Sequence, residues 1–167
     1  MAEEAQTPER QFSIERIYVK DLSFESPGAP ETFFSTAKPK INIDLNHTYQ
    51  SKQAMTEGLY EVVLNITVTA TNGEDTKPAF VAEVAQCGLF MANGFDAQAL
   101  EQLFGSYCLT ILYPYAREAI SDVVGKGGFP QLLISPVNFE AYANAKRAQQ
   151  ESNQSDQSAG SADRASN

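Results

Sequence analysis

The run LYEVVLNITVTAT (59–71) constrains the fold of this chain more than any other segment. Its even positions, Tyr60, Val62, Leu64, Ile66, Val68 and Ala70, are apolar. After Leu59, its odd positions are polar apart from Val63: Glu61, Asn65, Thr67, Thr69 and Thr71. A period of two in β-branched residues predicts a strand with one buried face. INIDLNHTY (41–49) alternates in the same way, with Ile41, Ile43, Leu45, His47 and Tyr49 in phase. Segment 12–25 sets Leu22 and Phe24 against Asp21, Ser23 and Glu25, and segment 79–91 sets Phe80, Ala82 and Val84 against Val81, Glu83 and Ala85. TNGEDTKP (71–78) reads as the turn between the last two strands. SPGAPETFFSTAKPK (26–40) holds three prolines and no regular period. It is too long for a hairpin, which predicts a crossover loop.

The second half changes period. Leu100, Leu103, Phe104 and Tyr107 follow helical spacing behind Asp96, a candidate N-cap. YPYAREAISDVVGKGG (113–128) continues with Ala116, Ile120, Val123 and Val124. Pro114 starts a new helix or kinks a long one, and Gly125, Gly127 and Gly128 stop it. FPQLLISPV (129–137) is loop-like or extended, and 138–150 reads as a last helix behind Asn138. Four strands and then two or three helices make an α+β domain. One kinked helix covers only part of the sheet's apolar face. Leu103, Phe104, Ile111, Leu112 and Ile120 lie on more than one side of that helix, which predicts self-association.

The 167 residues suit one domain with tails, 43% hydrophobic and 20% charged. Residues 1–11 and 148–167 lack the apolar surface that would offset ordering, so both are expected to be disordered around a domain at 12–147. The net charge of −9 divides as −2 in each tail and −5 between them. An acidic middle argues against a nucleic-acid binder and against anionic membrane surfaces. Two cysteines make no disulfide framework. No apolar run is long enough for a transmembrane helix, and MAEEAQTPER has no signal-like apolar stretch. The expected compartment is the cytoplasm.

Signals for catalysis are weak. One histidine, His47, without Cys-x-x-Cys spacing builds no usual zinc site, and it reads as a strand-end residue at the core margin. There is no Walker loop, G-x-G-x-x-G or G-x-S-x-G. Cys87 and Cys108 read as core residues. Two other patterns carry more. Asp21 and Glu25 share strand parity, about 13 Å apart, and Glu61 and Glu83 share outward parity on their own strands, with Val81 beside Glu83. This is an ordinary solvated sheet face or a dock for a basic partner. Phe33 and Phe34 in the crossover, Phe129 and Leu132–Ile134 in the next connection, and Phe139 and Tyr142 in the last helix are unusually apolar for irregular segments and their flanks. They fold onto the core or line a groove for extended apolar segments. A small-molecule or enzymatic α+β domain and a structural subunit are the rival classes.

IERIYVKDLSFESPGAP (14–30), YEVVLNITVTA (60–70) and YCLTILYPYAREAISDVVGKGGFPQLLISPVNFEA (107–141) together resemble the SecB family of protein-export chaperones, over roughly residues 12–142. The resemblance implies a four-stranded antiparallel sheet with a long kinked helix and a shorter C-terminal helix, assembled as a homotetramer, a dimer of dimers. It implies an ATP-independent chaperone with no cofactor or metal of its own. Such a protein holds unfolded preproteins in the cytoplasm and delivers them to the SecA motor of the Sec translocon. The family's docking positions for the basic, zinc-containing end of SecA fall here on Asp21, Glu25, Val81 and Glu83. Its client groove falls on the region of Phe33, Phe34, Ile41, Phe139 and Tyr142. Two positions depart from the family pattern: Ala37 stands where a tryptophan is common, and YANAKRAQQ is more polar than the usual last helix.

Overall fold

The computed structural model describes residues 9–73 and 77–149. The tails expected at 1–11 and 148–167 lie outside the described residues except for 9–11 and 148–149. Four strands, β1 (Gln11–Glu25), β2 (Pro39–Ser51), β3 (Leu59–Asn72) and β4 (Phe80–Asn93), form one antiparallel sheet in the order β1-β4-β3-β2. The segment between β1 and β2 therefore joins opposite edges, so 26–40 is the crossover that its length and prolines predicted. It contains a short 3-10 turn, Glu31–Phe34. Ser26 Oγ donates to the Ala79 carbonyl at 2.7 Å, and Asn72 Nδ2 donates to Thr32 Oγ1 at 2.9 Å, which pins the crossover to the ends of β3 and β4.

Alternation holds along β3 and β4, whose even residues face the core. β1 does not alternate throughout. Its register against β4 shifts between Ile14 and Arg16 and again between Val19 and Asp21, leaving Glu15 and Lys20 as bulge residues. Each bulge resets the parity. Phe12, then Ile17, then Leu22 and Phe24 pair with Ala92, Gly88, Val84 and Ala82, all on the core side. Asp21, Ser23 and Glu25 consequently sit on the other face.

α1 (Ala97–Gln102) begins at Asp96, whose side chain accepts from the Ala99 amide at 2.8 Å, as the cap reading required. It runs through a π turn, Leu103–Tyr107, into α2 (Cys108–Lys126). Pro114 does not divide the helix but lies inside α2, and the departure from α geometry comes earlier, at Leu103–Tyr107. Pro114 and Thr110 are both exposed, so the proline lies on the solvent side of α2. α2 packs chiefly across β4 and β3. Phe104, Leu109, Leu112, Ile120 and Val124 are fully buried against Val62, Leu64, Ile66, Val68 and Phe90. Gly88 makes room for this layer, since a Cβ there would lie 2.4 Å from the Phe90 ring and 3.1 Å from Leu112. The last helix, α3 (139–149), is capped by Asn138, which accepts from the Ala141 amide at 3.0 Å.

Candidate functional site

Two surfaces stand out, one on each face of the sheet. On the outer face, β1 and β4 bring the carboxylates together. Glu25 pairs with Val81, Ser23 with Glu83, and Asp21 with Ala85, so Asp21, Glu25, Val81 and Glu83 share one face at one end of these strands. The three carboxylates are exposed, and among the described residues none is ion-paired. Glu83 accepts a hydrogen bond from Thr67 Oγ1 at 3.1 Å. Val81, half-buried between them, supplies an apolar spot.

Glu61 departs from the sequence reading. It lies on the same face, but it pairs with Leu89, far along β4 from Glu83, and is only 7% exposed. Tyr18 donates its hydroxyl to Glu61, Lys52 Nζ lies 3.1 Å from it and Lys20 Nζ 3.3 Å. The Tyr18 hydrogen bond, aided by those from Lys52 and Lys20, holds this carboxyl below the usual range against the opposing effect of burial. Two lysines on one carboxylate make this a structural cluster and not part of the acidic patch. Cys87, opposite Tyr18 in the register, is buried on this outer side and not in the layer between sheet and helix, where Cys108 lies. Burial pushes the Cys108 thiol up to about 12, which leaves it protonated and inert.

On the core face, α2 covers the central strands and leaves the first half of β2 partly open, with Ile41 and Ile43 exposed. A cleft of about 450 Å³ lies there, lined by Ile41 and Ala70 of the sheet, Phe33 and Ala37 of the crossover, and Phe129 and Leu132 of the connection after α2. Its aromatic wall continues inward. The Phe33 ring sits 5.1 Å from Phe129, which lies 4.9 Å from Phe80. The wall depends on Gly127 and Gly128. A Cβ on Gly127 would lie 2.2 Å from the Phe24 ring, and Gly128 has φ +84° at the turn that delivers Phe129.

The five groove residues expected from sequence separate. Phe33 and Ile41 line the cleft, while Phe34 is 84% exposed at the neighbouring turn. Phe139 is 2% exposed, packed edge-on against Tyr113 within the core, so it offers no free surface. Tyr142 is half-buried farther along β2, 5.7 Å from the His47 ring.

Residues 4–150 match the family described as preprotein translocase subunit SecB. The protein-export protein SecB of Methylococcus capsulatus is 49% identical over 141 residues, 84% of this chain and 88% of its relative. That of Marinobacter nauticus is 51% identical over 142 residues, 84% and 83% of the two chains. The chain belongs to the SecB family. Its role is that of a chaperone in protein export, in a family of chaperones and not of enzymes. A SecB-like chaperone of Mycobacterium tuberculosis, solved with a peptide from an antitoxin, has a similar fold, with a TM-score of 0.62 at 18% identity over 75% of this chain and 90% of that one.

Against that SecB frame, Phe129 and Leu132, which the sequence offered as core or groove residues, line the cleft, and α3 does not. The apolar run behind the glycine stop was the signal. One feature escaped the sequence reading: a polar cleft at the far end of β2, where Lys146 and Arg147 of α3 come down beside His47. Burial, with a smaller push from Lys146, lowers the His47 pKa to about 4, so its ring is neutral near pH 7. Among the described residues no helix is long and apolar enough to cross a membrane.

Proposed function

We propose that this SecB-family chaperone holds unfolded preproteins in the cytoplasm along the apolar trough at Phe33, Ile41 and Phe129, and hands them to the SecA motor through the acidic patch of Asp21, Glu25, Val81 and Glu83. The observation that carries this reading is the separation of the two surfaces onto opposite faces of one sheet. A client on the core side leaves the outer carboxylates free for a second partner.

Holding needs no nucleotide. Extended apolar segments lose water-exposed surface in the trough, worth about 25 cal/mol per Å². Preference for the unfolded client then slows its folding by mass action. Phe34, at the crossover turn beside the trough, extends its apolar rim. Phe139 and Tyr142 pack on each other at the start of α3 and anchor that helix beyond the trough. Handover is electrostatic. Solvated, unpaired carboxylates attract a cationic, zinc-bearing segment and orient its approach, while Val81 gives it an apolar foothold.

Association into a homotetramer, a dimer of dimers, follows the same physics. β1 is a fifteen-residue edge strand with Ile14, Val19 and Leu22 exposed on its core side, and Tyr107, Tyr115 and Leu133 are exposed beyond the helices. A second copy of the chain covers such surfaces.

The test pairs two variants with two partners. Asp21→Lys with Glu83→Lys weakens binding of the SecA carboxyl-terminal zinc segment by more than tenfold and leaves capture of a reduced, unfolded preprotein within about twofold. Phe33→Ala with Phe34→Ala does the reverse. Equal loss of both activities in either variant overturns the two-surface reading.

A further inference from the structure

We propose that Glu61 is a positioning residue for the acidic dock: by holding the ammonium of Lys20, it keeps a cation out of the patch of Asp21, Glu25 and Glu83. The inference rests on the docking role given to that patch above and adds the device that protects its charge.

The sequence sets a lysine against the patch. Lys20 immediately precedes Asp21, so their Cα atoms lie about 3.8 Å apart. The bulge sharpens the conflict. Val19 pairs with Gln86 and Asp21 with Ala85, neighbours on β4, so Lys20 has no partner of its own in the ladder. Its side chain leaves on the outer face, the face of Asp21, because the Glu61 carboxylate that it reaches lies there. Moving the bulge by one residue would pair Lys20 with Ala85 and put it in the place of Asp21. A lysine free to turn back over Asp21 would likewise cancel part of the field that draws a cationic partner.

Glu61 prevents this from a fixed position. Lys20 Nζ lies 3.3 Å from each of its carboxylate oxygens. The carboxylate is itself held, since Tyr18 donates its hydroxyl to it and Lys52 Nζ lies 3.1 Å away, with the residue only 7% exposed. From the core side, Gln86 Nε2 donates to the Tyr18 carbonyl at 3.0 Å and steadies the strand beside the bulge. Ion pairs at a surface are weak when both partners must be ordered. Here one partner is already in place, and only the Lys20 side chain has to be fixed. Glu61 pairs with Leu89, four residues along β4 from the Ala85 that faces Asp21, about 13 Å along the strand. That exceeds the screening length of about 8 Å at physiological ionic strength, so a lysine held at Glu61 hardly acts on the dock. Lys52, rooted beyond the Ser51–Tyr60 pair, starts farther still from Asp21.

The experiment titrates the full-length chain with the SecA carboxyl-terminal zinc segment and reads affinity by calorimetry. Glu61→Gln should weaken binding about fivefold, and less as ionic strength rises, because the freed Lys20 then stands beside Asp21. Adding Lys20→Gln should restore affinity to within about twofold of the parent chain. Adding Lys52→Gln instead gives a chain of the same net charge and should not restore it. The two double variants thus separate a misplaced lysine from lost stability and from net charge. Lys20→Gln alone should leave affinity within about twofold, since the parent chain already holds that ammonium away. A gain of about threefold or more in that variant overturns the proposal, a reading that stands even where Glu61→Gln does not fold. Unchanged affinity in Glu61→Gln, or equal rescue by both double variants, also overturns it, while a loss in Asp21→Lys with Glu83→Lys leaves the dock standing. If that charge reversal has no effect either, the dock is refuted and the proposal with it.

Discussion

Glu61 illustrates how little a residue's parity says about its state. It points outward with Glu83, yet Tyr18, Lys20 and Lys52 close over it. The signals were all present, since Tyr18 and Lys20 lie in β1 and Lys52 directly follows β2. Their convergence on one carboxylate needs the β1-β4-β3 order, which no local pattern encodes. A consequence is measurable. The folded-state pKa of Glu61 lies below its unfolded value of about 4.3. Its stabilisation is therefore complete above that pH and is lost as pH falls through the lower folded value. Glu61→Gln should cost about 2 kcal/mol at neutral pH, seen as a lower Tm, with the gap to the parent chain closing below about pH 4. A gap that persists unchanged into acid would show that the charge contributes nothing.

Among the elements, β3 and β4 were readable throughout and β1 only in part. Where alternation runs unbroken, the buried row follows from the residues alone. In β1 two bulges reset the phase, so Leu22 and Phe24 read correctly while Ile17 and Val19, between the bulges, follow the opposite parity. The crossover was legible from its prolines and length, and the caps Asp96 and Asn138 from residue type. The π turn at Leu103–Tyr107 was not, because helical spacing differs too little there. The bulges make a prediction of their own. Deleting Lys20 restores a continuous alternation from Val19 to Asp21, so the sheet should survive with a Tm loss of a few degrees, about 2–4 °C per kcal/mol. Deleting Asn65 from β3 turns either Val62 and Leu64 or Ile66 and Val68 outward and should abolish folding. Circular dichroism melts of the two variants separate these cases. Comparable damage from both would mean that Lys20 is not an inserted residue.

At the scale of the whole molecule, a single chain leaves much apolar surface uncovered. Ile14, Val19, Leu22, Tyr107, Tyr115 and Leu133 are spread over an edge strand and the helical side, too widely for one small partner. Native mass spectrometry should find four copies of the 18.3 kDa chain, with an unfolded precursor adding to that mass and its folded form not. A monomer at micromolar concentration, indifferent to the client's state, would refute the assembly and leave the trough without its full length. The cleft was legible in part: residue type announced excess apolar surface, and only the tertiary arrangement showed which pieces of it meet within the chain.

The cleft at Phe33 and Phe129 is bordered by the crossover and the connection after α2, with regular strand only beneath. Borders of this kind keep no fixed spacing of pockets, so they cannot enforce an order of side chains on whatever lies against them. Such a channel tells greasy from wet and long from short, and it stays indifferent to spelling.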